Sequence, residues 1–171
     1  MWKPDSEKVK SFFTLDRTIY LVLFFLSLVG IGISDFSAKD GLWYWLAMVP
    51  IFGGVSIYNE WHQARQTGDR TKKIVVRQLM HWLALALAVY LVYILQSTGR
   101  MNMEDAGLVV LLALALTTFL AGVHFNWRFA IFGLVLGATA AAAAVVEEFF
   151  WIMFLLALIA GVIVIFYKKK A

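Results

Sequence analysis

The chain has 171 residues, 62% of them hydrophobic, with a mean hydropathy of +0.79. Soluble domains carry roughly 45–50% apolar residues, and a core of this length has no room for the excess, so a water-soluble globule is excluded in favour of lipid as solvent. The net charge of +4 sits beside apolar runs rather than on a basic stripe interleaved with aromatics, which excludes nucleic acid as a partner; the lack of cysteine excludes disulfides and thiolate sites.

Apolar runs fall at about 18–34, 41–58, 79–97, 106–124, 128–146 and 149–167. Each is long enough to cross a hydrocarbon core of roughly 30 Å. They are continuously apolar, not alternating, so they read as helices and not as barrel strands. The expected fold is an all-α polytopic bundle of about six transmembrane helices, forming a single membrane domain over 1–171.

The first run follows Lys3, Lys8, Lys10 and Arg17, as in a signal peptide, but Phe36 stands where a cleavage site needs a small residue. A retained first span is expected. The second run contains Pro50 near its middle, followed by Gly53-Gly54. Proline removes a backbone donor and clashes with the preceding turn, so a kink is expected there. Broken helices near mid-membrane line substrate sites in transporters, which makes these three residues candidates for a gate.

Between the second and third runs lies the longest polar stretch, 59–78, with Arg65, Arg70, Lys72, Lys73 and Arg77. Gly68-Asp69 is its expected turn, and the flanks read as helical extensions beside anionic headgroups. A solvated, orienting loop is the plain reading and a docking site for a partner the sharper one. The third run opens near His81-Trp82, and the fourth closes at His124. These two imidazoles fall at similar depth on helices adjacent in sequence, as a haem or metal centre would require. Hydrogen-bonded interfacial histidines are the simpler alternative.

A tight turn at 124–128 leads to Arg128, a candidate anion contact, and to the fifth run. Gly133, Gly137 and Ala141 recur there at four-residue spacing. Small residues in this pattern let another helix backbone approach, within the bundle or from a partner chain. Only Glu147-Glu148 separates the fifth and sixth runs. One helix through both would be about 60 Å long, twice the membrane, so a hairpin with the glutamates at the outer surface is expected. Carboxylates held within lipid are otherwise candidates for a proton or ion relay.

Thirteen of the fifteen Lys and Arg residues fall on one side if the N-terminus is cytoplasmic, against Lys39 and Arg100 on the other. This asymmetry predicts both termini in the cytoplasm and, with the short loops, a bacterial inner membrane. No nucleophile elbow, zinc-protease or phosphate-loop motif is present in the sequence, so no catalytic residues and no enzyme activity are expected. The expected function is a non-catalytic multi-pass subunit or accessory protein packing against other membrane chains. A small channel or transporter for an ion or small solute is the first alternative. A haem-binding electron-transfer protein is the second, haem being the one cofactor with candidate ligands.

Overall fold

The computed structural model describes the backbone of residues 6–67, 71–124 and 127–146 and the side chains of 18–60, 75–124 and 127–146. The expected sixth span at 149–167, Glu147, Glu148, the Gly68-Asp69 turn and residues 125–126 of the turn expected at 124–128 lie outside the described residues.

All described secondary structure is helical. The elements are α1 (Ser6–Phe36), α2 (Ala38–Thr67), α3 (Thr71–Ser97), α4 (Met103–His124) and α5 (Trp127–Val146). Each contains a stretch long and apolar enough to cross a membrane: Thr18–Phe36, Ala38–Glu60, Val75–Ser97, Met103–His124 and Trp127–Val146. These are the first five expected runs, lengthened by a few residues at most ends. The interval 59–78, read as a loop with helical flanks, is almost wholly helix. Its Glu, Gln, Ala and Arg are good helix formers and no Gly or Pro interrupts them before Gly68. Helix α2 also continues through Pro50.

Local chemistry sets the helix ends. A single residue, Ser37, separates α1 from α2; its Oγ accepts the Asp40 N–H at 3.3 Å and so caps α2. Asn102 caps α4 by accepting the Asp105 N–H at 2.6 Å, and Glu104 and Asp105 favour that positive helix end. At the end of α3, Gly99 adopts φ +70°. The Arg100 N–H reaches the Leu95 carbonyl and the Gly99 N–H that of Gln96, both at 3.0 Å. This paired pattern needs the left-handed conformation that glycine takes without a Cβ penalty.

Helix α1 packs on α2 and α4, and α3 packs on the same two, closing a four-helix ring. Trp45, Phe52, Leu85, Val89, Leu111 and Leu114 fill its centre. Helix α5 adds to α4 through small residues. A Cβ on Gly122 would strike the backbone of Ala130, and one on Gly133 the backbone of Phe119 and, at 2.7 Å, the Ala115 carbonyl oxygen. The outward surface is as apolar as the core: Leu21, Phe25, Leu83, Leu87, Leu112 and Leu116 are exposed. Helices hydrophobic on every face suit a membrane and not water.

Candidate functional site

Polar side chains inside this apolar bundle are few, and most of them gather in two nodes. The first is centred on Ser34 of α1, which is fully buried. Its Oγ–H donates to the Gly30 carbonyl at 2.8 Å. Trp45 Nε1–H of α2 donates to the same oxygen at 2.9 Å, and the Tyr93 hydroxyl of α3 lies 2.9 Å from it. A hydroxyl has one hydrogen and two acceptor sites, so Tyr93 is the donor in that last contact. Two glycines make the node reachable. A Cβ on Gly41 of α2 would overlap the Tyr93 hydroxyl and approach Ser34 Oγ at 2.9 Å, and one on Gly107 of α4 would come within 2.8 Å of Ser34 Cβ. Four helices therefore meet on one serine.

The second node lies at the opposite end of the bundle and joins α2 to α3. Gln78, with no exposed surface, accepts on Oε1 from Ser56 Oγ–H at 2.8 Å and from Trp82 Nε1–H at 3.1 Å. Two donors on that atom fix the amide orientation, so Nε2 faces Glu60 and donates to its Oε2. Glu60 is half-buried at the last residue of its span, and Arg77, beside Gln78, acts on it by charge. An aromatic layer lies beneath. Phe52 stacks on Phe132 at 6.1 Å and tilts against Trp82 at 6.4 Å. Tyr20 meets Phe132 and Phe129 at 5.2 and 5.6 Å. Such ring pairs each add about 0.5–1.5 kcal/mol beyond area burial.

The residues singled out by sequence are placed as follows. Pro50 faces outward, Gly54 has open space beside it, and Gly53 is buried, where a Cβ would lie 3.0 Å from the Trp82 ring. Gly133 is buried against α4, Gly137 would place a Cβ 3.8 Å from that of Ala115, and Ala141 is exposed. His81 Nε2 lies 2.9 Å from the Thr117 carbonyl, and His124 Nδ1 2.7 Å from that of Leu120. Carbonyls only accept, so both nitrogens carry hydrogen. Each histidine thus commits one ring nitrogen to the main chain of α4. Among the described residues no three His, Asp or Glu side chains gather as a metal site would require. Arg128 is half-buried in the first turn of α5. Glu147 and Glu148 lie outside the described residues.

Sequence reading passed over Ser34, Tyr93, Glu60 and Gln78. Their signal was present but faint: Ser56 and Glu60, and Gln78 and Trp82, are each four apart and so share a helix face. Protein-family models, curated proteins and solved structures were all compared with this chain, and none matched.

Proposed function

We propose that the chain is a bacterial inner-membrane protein of six spans with both termini cytoplasmic, and that it serves as a non-catalytic subunit or accessory chain packed against other membrane proteins. The Lys and Arg asymmetry supports the threading. The observation that carries the subunit reading is on α5. Gly133 and Gly137 face α4, while Ala138, Ala141 and Ala142 are turned outward. At i, i+3 and i+4 they form a small-residue strip on which a second helix backbone packs closely, and close packing is what associates helices in lipid. Both polar nodes hold the chain's own helices together, as a scaffold requires.

A photo-crosslinking residue at position 141 in native membranes, followed by mild detergent extraction, tests this. The expected product is a stoichiometric complex with one defined chain, lost when Ala138→Leu is added on the same strip. Crosslinks confined to this chain's own residues 149–167 would end the subunit reading.

One observation favours a second reading, a small channel or transporter. Glu60 is a carboxylate within a span, and such groups are expensive in lipid unless they serve a purpose. Ion flux by the purified protein in liposomes, abolished by Glu60→Gln, would select it.

A further inference from the structure

We propose that the groove at the α1–α2 elbow holds a phospholipid with a primary-amine headgroup, phosphatidylethanolamine, in the leaflet at that end of the bundle. The proposal requires the spans to lie in a bilayer and rests on neither the subunit nor the transporter reading. The groove has a volume of about 420 Å³ and is lined by Val29, Gly32, Ile33 and Phe36 of α1, by Ser37, and by Asp40 of α2. Gly32 makes the notch, since a Cβ there would meet nothing within 4 Å. Val29 and Phe36 stand at i−3 and i+4 from it and so share its face. Both are exposed, Phe36 at 91%, so the groove opens outward and not into the bundle.

Depth and chemistry select the occupant. Ser37 separates the spans Thr18–Phe36 and Ala38–Glu60, so the mouth of the groove lies at the apolar boundary. Val29 stands about 10 Å deeper than Phe36 at 1.5 Å per residue, in a leaflet whose hydrocarbon is roughly 15 Å thick. The α1 wall between them is wholly apolar, so a soluble ligand has nothing to bind below the mouth, whereas an acyl chain is matched over that depth. A second helix is disfavoured for a different reason. Close helix contact uses a row of small residues, and Gly32 is flanked on its face by Phe25, Val29 and Phe36.

The mouth reads the headgroup. Ser37 Oγ accepts the Asp40 N–H at 3.3 Å, which leaves its own hydrogen for a phosphate oxygen. The Asp40 carboxylate is exposed in the lining, placed to accept from an ammonium, and Lys39 is exposed beside it. The rim thus carries both signs, as a zwitterion requires. Among the described residues at this end, Asp35, Asp40, Glu104 and Asp105 outnumber Lys39 and Arg100, which disfavours a headgroup of net negative charge. A primary ammonium donates hydrogen bonds to a carboxylate and a trimethylated one does not, which separates ethanolamine from choline.

The test offers the full chain, purified in detergent, equal amounts of palmitoyl-oleoyl phosphatidylethanolamine, phosphatidylcholine and phosphatidylglycerol, the retained lipids being counted by native mass spectrometry. Phosphatidylethanolamine is retained in preference to both others. Asp40→Asn lowers that preference about threefold to fivefold, the size of one exposed ion pair, and Asp105→Asn, outside the groove, lowers it less. Gly32→Leu fills the notch and removes one bound lipid at an unchanged melting temperature. A photoreactive residue in place of Val29 gives a phospholipid adduct in native membranes. Equal retention of the ethanolamine and choline lipids by the wild type, an unchanged lipid count in Gly32→Leu, or equal effects of Asp40→Asn and Asp105→Asn would each overturn the proposal. So would displacement of the lipid by soluble phosphoethanolamine, or an adduct at position 29 with protein alone, which would put a partner helix in the groove.

Discussion

The Ser34 and Gln78 nodes occupy opposite ends of one bundle and are built on opposite principles. Around Ser34, three donors and acceptors use the whole capacity of one hydroxyl, and two glycines bring α2 and α4 against it. Neither charge nor spare valence remains on that serine. Around Gln78, the amide oxygen is equally full, but the nitrogen points to a carboxylate that brings a charge and a second oxygen. Hydrogen bonds strengthen in a low dielectric, and unmet groups cost more there. A saturated neutral node is therefore a fastener. A charged node at a span boundary both fastens and meets what lies outside.

Gln78→Leu should break the second node most severely. It strands the Ser56 hydroxyl, the Trp82 N–H and Glu60 at once, and an unsatisfied buried group costs about 1–3 kcal/mol. A loss of about 2–4 kcal/mol is expected, allowing for relaxation, read as a lowered melting temperature in detergent. Ser34→Ala strands the Trp45 N–H and the Tyr93 hydroxyl and should cost about 1–3 kcal/mol by the same measurement. If it matched Ala replacement at the half-buried Thr139, whose hydroxyl bonds only the Val135 carbonyl of its own helix, the fastener role would be refuted. Tyr93→Phe removes one donor and leaves Ser34 its other two bonds, so about 0.5–1 kcal/mol is expected. The smallest effect separates two adjacent glycines near the Gln78 node. Gly54→Ala meets nothing within 4 Å and should stabilise α2 by about 0.5–1 kcal/mol, whereas Gly53→Ala presses on Trp82 and should destabilise. Parallel melts of the two variants check the sign.

The apolar runs made the five described helices legible, because lipid selects for residue type over a span and tolerates little else. The third helix ends at Ser97, where its apolar run was drawn to end, and the structure adds that Gly99 closes it in the left-handed conformation. The polar nodes were less legible. Ser34 and Tyr93 sit at span ends where polar residues are ordinary, and their meeting depends on Gly41 and Gly107, which lie on two further helices. Gln78 fell one residue outside the run drawn at 79–97, so it read as loop. Hydropathy places a boundary by average composition, and one buried amide beside Arg77 does not move that average. The Gly133 and Gly137 spacing signalled close packing but not its direction; the structure puts Gly133 on α4 and leaves Ala141 outward.

The one-residue elbow at Ser37 couples the first two helices mechanically. With the backbone turning back at once, neither helix has slack to shift along its axis without moving its neighbour. A short foreign sequence spliced at position 37 is therefore expected to loosen the pairing of the two helices, read as a lowered melting temperature in detergent.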